Sequence, residues 1–186
     1  FAAATGLQDP VYTLADDVRI SSNGIDITTG GSYCSYSDAA ASDTVTYSFL
    51  VPSDGFVCFA ISGSKKNNFT IYKNNVEVKQ ETIGLAQIFA AGDFAAGDLC
   101  QVTFELKDGD SGNLDVTAGI LNDDVFQRGL AILRSSQLEL TGWSDTKITG
   151  TVNASSGGVL YTSIPYDSNW SAYVDGKKVE ITPICD

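Results

Sequence analysis

Apolar and polar residues alternate along most of this chain, in short segments that are separated by turn residues. Residues 44–51 alternate and are rich in strand-forming types, whereas residues 56–61 are apolar without a break, which is typical of a strand buried on both faces. A Pro-Ser-Asp-Gly turn separates these two segments. The pattern predicts a mainly β protein that is built from many short antiparallel strands.

Tight-turn signals predict where neighbouring strands form hairpins. An Asn-Gly pair at residues 23–24 divides the alternating segment 18–28, and an Asp-Gly pair stands at residues 175–176. Residues 69–78 carry another hairpin, with a Lys-Asn-Asn turn at its centre. Two further strands are predicted on either side of a polar loop, at 99–106 and 114–120.

One segment has helical spacing instead of strand spacing. The apolar positions that follow Asn122 recur every three or four residues up to Leu133. Acidic and amide side chains precede these positions, where they cap a helix, and Arg134 suits the negative end of the helix dipole. The spacing predicts one helix of about three turns over residues 123–135.

Two parts of the chain resemble each other in the order of their signals. A Ser-Asp-Thr triplet opens each part, and an alternating strand, a glycine-containing turn, an apolar strand and an aromatic hairpin follow. This order indicates two related β units in tandem, although short-strand proteins share such patterns. We predict two antiparallel β-sandwich-like units joined by one short helix. The predicted divisions are a sandwich over 1–121, a connecting helix and linker over 122–140, and a second unit over 141–186, either truncated or packed with the first.

Composition and charge exclude several classes of function. The chain is 43% apolar and 18% charged, which fits a folded core. Its net charge is −12, from 11 basic and 23 acidic residues without a basic cluster, so we expect no nucleic-acid partner. There is no histidine, which removes Ser-His-Asp and Cys-His catalysis. We therefore expect no catalytic residues in this chain.

The chain contains no methionine and no long apolar segment. It begins with Phe1, so we expect a processed or excised piece of a longer protein. The most apolar stretch, residues 83–96, is interrupted by Gln87 and Asp93 and is shorter than the ~20 residues that span a bilayer. The sequence therefore predicts no transmembrane segment within these residues.

The four cysteines have no metal-binding or redox spacing. They stand at positions 34, 58, 100 and 185, and no two form a Cys-x-x-Cys motif. Cys58 and Cys100 lie in predicted strands, so buried free thiols are the simpler interpretation, and a Cys58–Cys100 disulfide stays open.

An acidic loop invites comparison with a calcium site. Residues 108–115 alternate oxygen-bearing side chains with glycines, but the glutamate required at the twelfth place is replaced by Gly119. A solvated hairpin turn is the favoured interpretation. We predict no metal and no cofactor.

The C-terminal part carries a more specific pattern. A strand over residues 158–166 ends in Pro-Tyr, an Asn-Trp step follows at 169–170, and a Val-Asp-Gly-Lys hairpin covers 174–177. This order resembles the final extracellular domain of the bacterial YfhO-like membrane proteins, in which a Gly-Trp step leads to the same hairpin. Asparagine in place of that glycine also tolerates a left-handed backbone. The match is specific over 144–181 and loose over 1–120.

The resemblance implies a polytopic protein whose membrane part looks like a glycosyltransferase that uses lipid-linked sugars to modify envelope polymers. This chain would then be a non-catalytic domain on the extracellular face of the bacterial cytoplasmic membrane. Its role would be positioning, recognition or structural, and its partners its own membrane-embedded region and an envelope glycan or lipid-linked sugar. The alternative is a stand-alone carbohydrate-binding or adhesion module of β-sandwich type. An enzyme with a carboxylate-only site is a third hypothesis.

Aromatic and polar side chains cluster near the C-terminal hairpin and form the candidate ligand-binding site. The rings can stack on sugars, with the carboxylate and the amide as polar partners. Core packing of the tryptophan is the competing interpretation, and it is the favoured one because tryptophan also dominates cores. The candidate residues are Tyr166, Asp167, Asn169, Trp170 and Tyr173.

Overall fold

The computed structural model describes residues 1–84, 86–154 and 158–183. The chain divides into two compact units, Phe1–Ser135 and Ser136–Asp186. Antiparallel strands dominate the chain and one short helix follows the first set of strands, which confirms the predicted mainly β class. That helix belongs to the first unit. The sequence-based divisions at residues 121 and 140 stay a prediction.

The first unit contains two antiparallel sheets. The six-stranded sheet has the order β3-β4-β11-β6-β9, with β1 also paired to β11, and the five-stranded sheet has the order β2-β5-β10-β7-β8. The edge strands β8 and β9 each carry a β-bulge. The strands are β1 (Tyr12–Leu14), β2 (Arg19–Asn23), β3 (Ile27–Gly30), β4 (Tyr33–Tyr36), β5 (Thr44–Leu50), β6 (Gly55–Gly63), β7 (Asn68–Lys73), β8 (Val76–Thr82), β9 (Gln87–Phe94), β10 (Leu99–Glu105) and β11 (Gly112–Leu121).

A single apolar layer lies between the two sheets. Successive side chains of a strand point to opposite faces, so every second residue enters this layer. In β10 the buried residues are Cys100, Val102 and Phe104, each fully inaccessible. Phe69 of one sheet meets Phe89 of the other edge to face, with ring centroids 4.9 Å apart. The layer therefore joins the sheets through interlocking aromatic and branched side chains.

The predicted hairpin at residues 23–24 is wrong. Strands β2 and β3 lie in different sheets, where β2 pairs with β5 and β3 with β4. Gly24 has φ +85°, and a Cβ atom there would collide with the Asp43 carboxylate. That carboxylate accepts a hydrogen bond from the backbone of Ala40 at 2.8 Å. The turn therefore takes the chain from one sheet to the other.

The hairpin predicted over residues 69–78 is confirmed, whereas the loop after β10 is not a hairpin. Asn74 and Asn75 both have positive φ, 51° and 65°, and connect β7 to β8. In contrast, β10 and β11 belong to opposite sheets, so the loop between them crosses the sandwich. Backbone hydrogen bonds attach this loop to Ala39, from Gly109 at 2.7 Å and to Asp110 at 2.9 Å.

The predicted helix is confirmed with its bounds, as α2 (Asp123–Ser135); a short helix α1 (Ala2–Thr5) precedes the strands. Asn122 caps α2, since its Oδ1 accepts a hydrogen bond from the backbone of Val125 at 3.2 Å. Phe1 stacks on Phe126 with centroids 5.9 Å apart and covers Gly129. A side chain at position 129 would occupy the space of that ring, which explains a glycine inside the helix.

The second unit consists of two hairpins among its described residues. They pair β12 (Leu138–Ser144) with β13 (Lys147–Val152), and β14 (Ala172–Val174) with β15 (Lys177–Val179). The Asp-Gly turn predicted at 175–176 connects the latter pair with φ values of 49° and 77°. None of the described residues of this unit is buried. The glycine turn at 157–158 lies partly outside the described residues, and Cys185 lies wholly outside them.

No helix in the described part of the chain is long and apolar enough to cross a bilayer.

A charged cluster fixes the turn between β9 and β10. Asp98 accepts hydrogen bonds from the backbone of Ala95 at 2.8 Å and from the Asn74 amide at 2.7 Å, and Lys73 lies 3.0 Å away. These partners favour the ionised carboxylate and lower the pKa of Asp98 to about 2.

We expect Asp98→Asn to lower the unfolding temperature at neutral pH. The variant should also show a weaker decrease of the unfolding temperature as the pH falls. Because the folded-state pKa lies below the unfolded value of ~3.9, the wild-type carboxylate stabilises the fold above that value. The stabilisation is lost as the pH falls from ~5 towards ~2. Unfolding temperatures measured over this pH range test the prediction, with Asp16→Asn at an exposed position as the control. Parallel pH profiles for wild type and Asp98→Asn would contradict it.

Candidate functional site

The five predicted ligand-binding residues lie in the second unit, and two of them shape a turn. Asp167 Oδ1 accepts hydrogen bonds from both the backbone and the side-chain amide of Asn169, each at 2.8 Å. The backbone of Trp170 donates to the Asp167 carbonyl at 3.0 Å. Asp167 and Asn169 therefore use much of their hydrogen-bonding capacity on each other.

The three aromatic residues of this group are accessible. Tyr166 is 54% exposed, Trp170 37% and Tyr173 62%. Trp170 consequently does not fill a core in the structure, contrary to the favoured interpretation of the sequence. A shared ligand-binding surface formed by these residues stays a prediction.

The other sequence candidates do not assemble into a reactive centre in the described residues. Asp110 of the acidic loop lies 3.7 Å from Lys65, and no group of three metal-binding side chains occurs in residues 1–84, 86–154 and 158–183. Cys34, Cys58 and Cys100 are free thiols. Burial raises the pKa of all three, that of Cys100 to about 12, so they are protonated and weakly nucleophilic at neutral pH.

A different surface emerges on the outer side of the five-stranded sheet, which we call the polar face. Its residues alternate with the buried ones, and the strand register aligns them in three rows. The middle row is Ser21, Thr46, Thr103, Thr70 and Gln80. The two flanking rows are Arg19, Ser48, Gln101, Tyr72 and Glu77, and Asn23, Thr44, Glu105, Asn68 and Thr82.

The polar face is mostly uncharged and presents donors and acceptors together. Its charged members are Arg19 and Glu77 on the edge strands, and Glu105 on the central strand. Thr46 and Thr103 share a hydrogen bond of 3.0 Å between their hydroxyls. Neutral hydroxyl and amide groups therefore occupy its centre, where they can exchange hydrogen bonds with other neutral polar groups.

A cavity of about 390 Å³ opens at one end of the polar face. It is lined by β7, β8 and the end of β10, and its residues are Asn68, Phe69, Thr70, Gln80, Glu81, Thr82 and Glu105. Thr82 donates a hydrogen bond of 2.8 Å to Asn68 Oδ1, and Thr70 of β7 is largely buried between β8 and β10. The depression is open to solvent and mostly polar in its lining.

Sequence reasoning missed the polar face because no single segment contains it. Each strand contributes two or three residues, and the sheet order is not the chain order. A usable signal was present in β5 and β10, whose outward positions before the strand ends are threonine, serine and glutamine.

We expect Trp170→Ala to leave the thermal unfolding of the protein nearly unchanged, because a partly exposed side chain with no buried surroundings contributes little packing. Trp143→Ala, at a tryptophan that is 77% exposed, is the matched control. Acrylamide should quench the fluorescence of Trp170 in a Trp143→Phe background. Loss of folding in Trp170→Ala, with Trp170 protected from quenching, would restore the core interpretation.

Solved structures that resemble the chain share little sequence with it. A GH26-CBM35 mannanase from Podospora anserina has 14% identity and a TM-score of 0.39, over 60% of this chain and 27% of that chain. CsCBM6-3 from Clostridium stercorarium, in complex with cellobiose, has 14% identity and a TM-score of 0.40, over 60% and 93%. The C-terminal CBM6 of LamC from Zobellia galactanivorans has 12% identity and a TM-score of 0.39, over 59% and 97%. These TM-scores are too low to support a conclusion about this chain.

No curated protein matches the sequence. The profile of one family, described as bacterial membrane protein YfhO, matches residues 1–185 and so extends the resemblance seen near the C-terminus to both units. This match includes the strands that form the polar face and the hairpins of the second unit. The chain therefore belongs to the YfhO family of bacterial membrane proteins.

Proposed function

We propose that this chain is a non-catalytic domain that recognises a glycan for its parent membrane protein. The polar face is the observation that carries the proposal. Sugars present hydroxyl groups in several directions, and hydroxyl and amide side chains can both donate to them and accept from them. Tyr72 supplies the apolar surface against which the carbon face of a sugar ring packs.

The dimensions of the polar face suit an extended ligand. Neighbouring strands lie ~4.8 Å apart, and outward residues along one strand ~6.6 Å apart. Five strands and three rows then cover roughly 19 Å by 13 Å. Several consecutive sugar rings can lie on such a surface, and the cavity at one end provides a place for a terminal or branching sugar.

Charge supports a glycan over a polyanion as the ligand. The net charge of −12 repels phosphate-rich polymers, and the centre of the polar face lacks basic side chains. A neutral polymer is not repelled by the negatively charged protein. Its binding also requires no charged group to lose its water, because neutral hydroxyl groups replace their hydrogen bonds to water with similar bonds to the protein.

The absence of histidine and the protonated thiols favour recognition over catalysis in this chain. We assign the chemistry to the membrane-embedded part that the family resemblance implies, as a transfer of sugar from a lipid-linked donor to an envelope polymer. The domain would lie on the extracellular face and hold the polymer near that part. Membership of a membrane-protein family supports this role over a stand-alone adhesion module.

The second unit completes the proposal with its own surface. We propose a separate sugar contact at Tyr166, Trp170 and Tyr173 in this unit, because their exposed rings offer stacking surfaces. Asp167 and Asn169 shape the turn that presents Trp170.

Titration calorimetry with a panel of neutral envelope oligosaccharides tests the main site. We expect saturable binding that Tyr72→Ala weakens about tenfold or more, since an aromatic anchor is worth ~2 kcal/mol. Gln101→Ala, beside Tyr72, should also weaken it.

Tyr33→Ala is the matched control, because Tyr33 is an exposed strand tyrosine on the six-stranded sheet. It should bind as the wild type does. No binding by the folded protein, or equal losses in Tyr33→Ala and Tyr72→Ala, would contradict the assignment. Loss in Trp170→Ala alone would move the site to the second unit.

A further inference from the structure

The outer side of the six-stranded sheet has the opposite chemistry to the polar face, and we call it the apolar face. Its residues alternate with the buried ones, and the strand register aligns them in four rows. The two middle rows are Thr117, Ala60 and Ile88, and Leu14, Gly119, Cys58 and Ala90. The two end rows are Tyr12, Leu121, Phe56 and Asp93, and Gly30, Tyr33, Asp115 and Ser62. The middle of the face therefore carries no charge, and each end row carries one carboxylate.

Large apolar side chains on this face are accessible, and small ones lie between them. Ile88 on β9 and Leu14 on β1 are both exposed. Ala60 and Ala90 are exposed as well and project little above the sheet. The small residues of one such face leave room for the large residues of another. A continuous exposed apolar patch of this kind typically marks an interaction surface.

The apolar face is large enough for a protein interface of modest stability. Up to four strands ~4.8 Å apart and four rows ~6.6 Å apart span roughly 14 Å by 20 Å between Cα atoms, and about 20 Å by 26 Å with their side chains. Two such faces together would remove about 1,000 Å² from water, which is the area at which a specific interface becomes possible. An apolar middle with charges only at its ends also matches the usual anatomy of an interface.

Charge and shape favour a second copy of this chain as the partner. Each copy has a net charge of −12, so two copies repel each other least where a neutral surface meets a neutral surface. Two sheets also pack face to face when the facing sides are apolar, at ~10 Å. A lipid bilayer fits less well, because Asp93 and Asp115 would enter it from opposite ends of the face. None of the residues in the four rows is a lysine or arginine that could meet anionic head groups.

We propose that the apolar face is a self-association surface, at which two copies of this chain pack their six-stranded sheets back to back about a twofold axis. Such an interface is isologous, so each copy contributes the same residues to it. The polar face lies on the other side of the sandwich and stays free in the dimer. The two polar faces then point in opposite directions. This inference does not depend on what the polar face binds.

Sedimentation equilibrium of the full chain tests the association. We expect a reversible equilibrium of monomer and dimer with a Kd of about 10–100 μM, since the buried area is near the lower limit for a specific interface. Added salt should strengthen the dimer, because it screens the repulsion between two copies of charge −12. A monomer at concentrations well above this Kd, or a dimer that salt dissociates, would overturn the proposal.

A charge placed on the apolar face should prevent the contact. We expect Ile88→Glu to raise the Kd of the dimer more than tenfold, because the twofold axis brings two new carboxylates into an apolar interface. Val76→Glu is the matched control, since Val76 is 68% exposed on an edge strand of the other sheet and Ile88 is 73% exposed on β9. It should associate as the wild type does. Equal losses in the two variants, or an unchanged Kd in folded Ile88→Glu, would contradict the assignment.

Alkylation of Cys58 locates the interface without a substitution. Cys58 is a half-buried free thiol in the middle of the apolar face, where a second copy would cover it. We expect its reaction rate with excess N-ethylmaleimide, read from its own peptide, to fall as the protein concentration passes through the Kd. A rate independent of concentration would place the contact elsewhere and overturn the proposal. Binding of a purely monomeric protein to phosphatidylcholine vesicles, with Cys58 protected there, would assign the face to lipid instead.

Discussion

One layer of apolar side chains holds the two sheets of the first unit together, and the other surfaces of that unit depend on it. In β10, Val102 and Phe104 enter the layer, so Gln101 and Thr103 must point outward. A slip of one residue in pairing would exchange these two sets and bury hydroxyl and amide groups without partners. The polar face is thus specified by the core behind it.

A buried hydrogen bond adds a directional contact to this layer. Tyr47 of β5 donates its hydroxyl to the Leu114 carbonyl of β11 at 3.1 Å, which links the two sheets through the core. Burial raises the pKa of Tyr47 far above its usual range, so the hydroxyl remains a donor at any physiological pH. Apolar contacts alone tolerate sliding between sheets, whereas a hydrogen bond of defined length does not. The position of the polar face relative to the six-stranded sheet is therefore fixed as well.

Local signals in the sequence predicted local structure well. The helix 123–135 and the turns at 74–75 and 175–176 depend on neighbours in the chain, through caps and left-handed backbone conformations. The Asn-Gly pair at 23–24 has the same local signal, yet its two arms pair with different sheets.

Which strands pair is decided by burial between segments far apart in the chain. The sequence analysis missed the polar face for that reason, because this surface joins residues from Arg19 to Glu105. The exposure of Trp170 could not be predicted either, because it depends on residues that are not its neighbours in the sequence.

The bulges in β8 and β9 have a consequence for contacts between copies of the protein. A regular edge strand offers an evenly spaced series of backbone donors and acceptors, to which a strand from another molecule can add. The extra residue in each of these edges, Val78 in β8 and Ala91 in β9, interrupts that series. Lys79 and Glu77 place charges beside the interruption in β8. Two copies that meet at these edges therefore do not readily join their sheets into an aggregate.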